Sequence, residues 1–140
     1  MHALILMAAM FAPGDPPKAD VRPVGNDPSI EGLYLVEGGE TEKYRGLAVV
    51  QRAGEVYVIT QLVGGSVVQS VGVRVGSHMS LGWQQKASNG QTVIGTTHYS
   101  IGGDAKSPIL SGSWASVPGN GQVYRERLTF LREMPTEPKD

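Results

Sequence analysis

Cysteine is absent from this chain of 140 residues. That excludes disulfide staples, thiolate nucleophiles and cysteine metal sites, while leaving export open. Histidine is scarce. His2, His78 and His98 show neither a His-x-His nor an HExxH spacing, so no metal centre is expected. Charge of one sign is lacking too: 12 basic residues stand against 13 acidic ones, interspersed, for a net charge of −1. A nucleic-acid partner needs a basic patch that this composition does not supply. No apolar run reaches the roughly 20 residues that a membrane helix requires. No serine sits in a G-x-S-x-G elbow, and Gly119-Asn-Gly121 is followed by no helix that would complete a phosphate cradle. The chain is therefore expected to be no enzyme and to need no cofactor.

Glycine and proline are what the chain has in quantity, 19 and 9 of them, spread as punctuation rather than clustered. Residues 1–12, MHALILMAAMFA, have the apolar character and length of a signal-peptide core and are followed at once by Pro-Gly. The n-region carries no Lys or Arg, and Met10 stands where a cleavage site prefers a small residue. A first strand or core helix is the alternative reading. Residues 13–29 hold five prolines among Asp and Asn and read as a tether. The folded domain is expected over 30–132, with a disordered tail over 133–140. A leader of this kind implies a secreted or periplasmic protein.

The stretch 44–85 sets the architecture, because each apolar segment in it ends at a glycine turn and none shows a helical period. Eight strand-like segments follow from Val, Ile, Thr, Tyr and Trp content: 30–37, 44–52, 55–63, 66–75, 78–85, 91–101, 109–117 and 123–132. Their connectors are too short for parallel crossovers, so sequential neighbours are antiparallel and the topology is a meander. Closing such a sheet removes its edges. The fold expected is all-β, a single eight-stranded antiparallel up-and-down barrel, with a two-sheet sandwich as the alternative.

A two-residue loop at Ala53-Gly54 would pair Arg52 with Glu55, Val50 with Tyr57 and Ala48 with Ile59. Both faces of that hairpin are apolar, so the alternation does not declare which is inside. A second apolar face reads either as an oligomer contact or as valine used for strand propensity. The last strand is clearer. Tyr124, Glu126, Leu128 and Phe130 share the expected inner face, and Arg125, Arg127, Thr129 and Leu131 the outer. Glu126 is then either a ligand contact or a carboxylate tied structurally to neighbouring donors. Trp83 and Trp114 also fall on inner faces, where they either line a small-molecule site or fill the barrel's taper. The residues expected to line an interior site are Tyr57, Trp83, Trp114, Tyr124 and Glu126.

The runs Gly32-Leu-Tyr-Leu-Val-Glu-Gly38, Tyr44-Arg-Gly46, Gly54-Glu-Val-Tyr-Val58, Gly72-Val73, Leu110-Ser-Gly-Ser-Trp114 and Glu126-Arg-Leu-Thr-Phe130 together resemble a family of small exported bacterial β-barrel proteins. Some of these carry a loose fibronectin-binding label. The strand motifs are GxYxVxG, YxGxVxI, LxGxW and ExLxF, and this chain has Gln61 where relatives often have Trp. The strand count and G-x-W elements are similar, at the level of fold, to avidin-like and lipocalin-like barrels, a likeness that carries no ligand. The function expected is an exported, non-enzymatic binding protein holding a small molecule in its barrel. The alternative is an extracellular surface-interaction module for a protein or glycan. No membrane span is expected, and the state is a monomer or small homo-oligomer. An enzyme would require His78 or His98 to meet Glu126 or Asp104 in a cleft.

Overall fold

The computed structural model describes residues 27–135. The leader expected over 1–12, most of the tether over 13–29 and the end of the tail lie outside the described residues. Eight strands run β1 (Gly32–Gly38), β2 (Tyr44–Ala53), β3 (Val56–Val63), β4 (Ser66–Val75), β5 (His78–Lys86), β6 (Thr92–Gly103), β7 (Pro108–Val117) and β8 (Tyr124–Arg132). Each pairs antiparallel with its sequence neighbours, and β1 also pairs with β8, so the sheet is a closed up-and-down barrel. Closure sets the sandwich aside. The expected strand bounds agree with the observed ones to within two residues. The irregularity between Leu33 and Tyr34, where β1 pairs with β8, falls at the seam that completes the ring.

Three hairpin turns explain the meander locally. Gly54 (φ +63°) and Gly76 (φ +59°) each open a two-residue loop, and Gly64-Gly65 (φ +57° and +77°) forms a third. Positive φ at these places gives turns whose twist matches that of the flanking strands. The first turn corrects the expected register. The loop is Gly54-Glu55, so Ala53 pairs with Val56, Arg52 with Tyr57 and Val50 with Ile59. The slip is two residues and therefore keeps every side chain on its expected face. Arg52 consequently does not face Glu55. Its Nε donates to the Gly54 carbonyl (2.6 Å) and its guanidinium stands 6.0 Å from the Tyr57 ring centre.

The barrel's inner face is now fixed. Ala48, Val50, Tyr57 and Ile59 point in, while Leu47, Leu62, Val67, Val71 and Val73 are exposed on the outer wall. One end is packed solid by Ile30, Tyr34, Tyr57, Met79, Leu110 and Leu128, each at most 4% exposed. Ile30 lies just before β1 and accepts a 2.6 Å hydrogen bond at its carbonyl from the Tyr34 hydroxyl. Arg74 fastens the same approach, donating from Nη1 to the Pro28 carbonyl at 2.8 Å. The other end carries the β1–β2, β3–β4, β5–β6 and β7–β8 loops, and there the interior opens.

Candidate functional site

Beneath those four loops the barrel holds a cavity of about 290 Å³. Its wall is apolar and aromatic, made by Val63, Val68, Trp83 and Trp114. Its floor is polar, made by Gln61, Ser70, Thr97 and Glu126, and Tyr44, Ser66 and Gln85 stand around it nearer the rim. Strand alternation explains the composition. The inward positions of β8 run Tyr124, Glu126, Leu128, Phe130 from the open end to the closed one, so the carboxylate falls where packed core gives way to cavity.

Glu126 is 7% exposed and is held by neutral donors. Tyr44 donates its hydroxyl to Oε1 at 2.9 Å, and Gln61 donates from Nε2 to Oε2 at 3.1 Å. Tyr99 donates a short hydrogen bond to Oε2 as well. Gln61 Nε2 also donates to the Tyr99 hydroxyl at 3.1 Å. The network extends to the wall through Trp114, whose indole N–H donates to the Tyr44 hydroxyl at 2.8 Å. Trp83 is fixed separately, donating to Thr97 Oγ1 at 3.1 Å. Burial drives the Tyr99 and Tyr44 phenols well above their ordinary titration range, and the charge of Glu126 beside them adds to the shift. Both hydroxyls thus remain protonated donors, which is what a buried carboxylate requires.

The aromatic wall is built on glycines. Trp83 is paired with Gly95 across β5 and β6, and its indole lies where a side chain at Gly95 would be. Tyr44 likewise folds over its partner Gly38, which lets the phenol reach Glu126. The Trp83 and Trp114 rings meet edge to face at 6.0 Å. Tyr124 stacks on Trp114 at 4.5 Å, and its hydroxyl exchanges hydrogen bonds with Asn120 in the β7–β8 loop.

Of the five residues expected to line the site, Trp83, Trp114 and Glu126 do so. Tyr124 does not line it but buttresses Trp114 from behind. Tyr57 belongs to the packed far end, at 4% exposure, because β3 enters the barrel from that end. Sequence reasoning missed Tyr44, Gln61, Ser70, Thr97 and Tyr99. Alternation along the strands assigns all five inward, so the pattern contained them once a single inner residue of each strand was known. His78 and His98 stack on the outer wall, ring centres 5.4 Å apart, across the sheet from the inward Glu126. The histidine–carboxylate meeting that an enzyme reading would need is not formed between them and Glu126. Among the described residues no group of three or more His, Asp or Glu is placed to hold a metal.

Compared with family models, with curated proteins and with solved structures, the chain matches none.

Proposed function

We propose that this protein is an exported, non-enzymatic carrier or sensor of a small molecule, bound in the open end of the barrel. The observation that carries the reading is the contrast between the two ends. One end is filled by side chains, while the other keeps a cavity with aromatic walls and a few convergent polar groups. Such a composition matches small-ligand sites, and about 290 Å³ falls just below the lower end of their usual range, roughly 300–1,000 Å³, which suits a small ligand. The hydrogen-bonded frame around Glu126 holds the site's shape without a ligand's help, which lowers the ordering cost of binding. Export rests on the apolar leader and on the likeness of the strand motifs to exported β-barrel proteins. Native mass spectrometry of the protein purified from its own host tests the reading. A retained small-molecule mass, lost when the cavity is filled by Ser70→Trp, is expected; a bare protein mass together with failure of a small-molecule library to shift its melting temperature would overturn it.

A second reading, a surface-interaction module, is favoured by the outer wall of β2 to β4. Leu47, Leu62 and Val67 lie side by side across three strands, and Val56 pairs with Val73 and Val58 with Val71. Four of these, Leu62, Val67, Val71 and Val73, are between 48% and 62% exposed. The opposite wall carries His78, Ser80, His98, Arg125 and Arg127 beside the exposed Ile94, Val117 and Leu131, so its apolar side chains are interspersed with polar and charged ones. Among the described residues no helix is long and apolar enough to cross a membrane. A wall that is apolar across its centre, with Arg45 at its edge, is complementary to itself, and a second copy of the chain is the occupant it fits best.

A further inference from the structure

We infer that the ligand of the barrel cavity is a small organic ammonium ion, an inference that rests on the small-molecule reading and narrows it. Glu126 is the one ionisable acid or base among the cavity's lining residues apart from the phenol of Tyr44. Its three donors, Tyr44, Gln61 and Tyr99, are all neutral. They satisfy the carboxylate's lone pairs without cancelling its charge. Both ion pairs found among the described residues, Arg45 with Glu37 and Arg125 with Glu40, lie on the outside of the barrel, with side chains 49% exposed or more. Arg125 and Arg127 flank Glu126 in sequence, but strand alternation turns them outward, where water screens them. Seen from inside, the cavity is therefore a net anion in a low-dielectric setting, and a monocation is the charge that completes it.

The remaining groups agree with that sign. A carboxylate accepts about four hydrogen bonds and Glu126 receives three here, so a further N–H donor can be met at Oε1, the oxygen that Tyr44 alone engages. The carbonyl oxygen of Gln61 is a second acceptor, since only its amide nitrogen is engaged. Above them the Trp83 and Trp114 indoles supply electron-rich faces, and indole is the best of the aromatic partners for a cation. Val63 and Val68 then cover the hydrocarbon body. An anion would meet the carboxylate head-on, and a neutral alcohol would leave the charge uncompensated.

Trp83 and Trp114 are the chain's two tryptophans and both line the cavity, so intrinsic fluorescence reads its occupancy directly. The full chain is titrated at pH 7 with three probes of one shape: phenethylammonium, 2-phenylethanol and 3-phenylpropanoate. The expected result is binding of the ammonium at least about tenfold tighter than the alcohol, with the carboxylate weakest. Glu126→Gln should bring the ammonium and the alcohol to within about twofold of each other. Because that variant perturbs the network, the order of the three probes on the unsubstituted chain is the deciding reading. Equal binding of ammonium and alcohol overturns the cation inference and leaves the small-molecule site standing. No response to any of the three overturns the cation inference, while the small-molecule reading stands or falls by the retained mass and the library screen.

Discussion

Tyr99 on β6 and Glu126 on β8 share a proton donor and acceptor across the barrel floor, and Gln61 on β3 ties the two together from the far side. Three strands that are not mutual neighbours are thereby joined through the interior. Tyr99→Phe removes the donor while keeping the ring, so Oε2 retains only Gln61. A loss of about 1–3 kcal/mol is expected for a buried acceptor left short of a donor. Combined with Glu126→Gln, the two changes should depart from additivity by about 0.5 kcal/mol or more. Denaturant unfolding of the four proteins measures this, and strict additivity would show that the contact carries no coupling.

Burial raises the Tyr34, Tyr44 and Tyr99 phenols above the ordinary value of 10.0, and the negative charge of Glu126 raises the last two further. A raised acid keeps its proton in the folded state at a pH where the unfolded chain has released it. Stability is thus fully present below about pH 10 and is lost as pH rises beyond it. Tyrosinate absorbance and β-sheet circular dichroism, followed together from pH 8 to 13, should show these three phenols ionising only as the barrel unfolds. Ionisation of all the tyrosines near the ordinary value, with the fold intact, would refute the burial argument.

The barrel was legible because its signals are local. Short glycine turns force antiparallel neighbours, and eight strands in succession leave closure as the way to remove two edges. The register of the first hairpin was not legible, since a loop placed one residue early conserves face and differs only in which pairs meet. The site was half legible. Glu126 and the two tryptophans declare themselves as an acid and large rings on inward positions, whereas Gln61, Thr97 and Ser70 are residues that exposed strands carry as readily. Tyr57 was misplaced because alternation gives the face of a residue but not its height along the barrel. Height follows from where each strand starts, which only the assembled sheet reveals.

Two glycines on neighbouring strands separate packing from propensity. Gly95 faces inward beneath the Trp83 indole, while nothing lies within 4 Å of a side chain added at Gly82. Neither has a positive φ, so backbone strain does not enter. Gly95→Ala must displace Trp83 and break its bond to Thr97, with an expected cost of about 1–3 kcal/mol and a shifted tryptophan emission. Gly82→Ala should be neutral or stabilising by up to about 1 kcal/mol, since glycine is the more costly residue in a strand. Thermal melts of the two variants decide it, and a shared sign of effect would mean that the close approach of Trp83 is not what places glycine at 95.

The outer wall offers the remaining test, because apolar exposure there has two physical explanations. Valine on a solvated strand contributes propensity alone, and then a change to another β-former with a polar head costs little and alters no assembly. A surface that meets its own copy must instead be desolvated, and one lysine at its centre introduces two buried charges per symmetric dimer. Val71→Lys sits mid-strand on β4 and Leu62→Lys opposite Val67 on β3, both pointing outward. Sedimentation velocity over about 1–100 μM should show a dimer for the unsubstituted chain and a monomer for either variant. A monomer throughout would assign the valines to strand propensity and leave the barrel cavity as the candidate recognition site argued from the described residues. The same experiment with Val71→Thr separates charge from apolar contact: threonine keeps the branched outline and the strand preference but buries a hydroxyl, so a dimer weakened by threonine as well as lysine is held by exclusion of water from the wall, whereas one that survives threonine rejects only the buried charge.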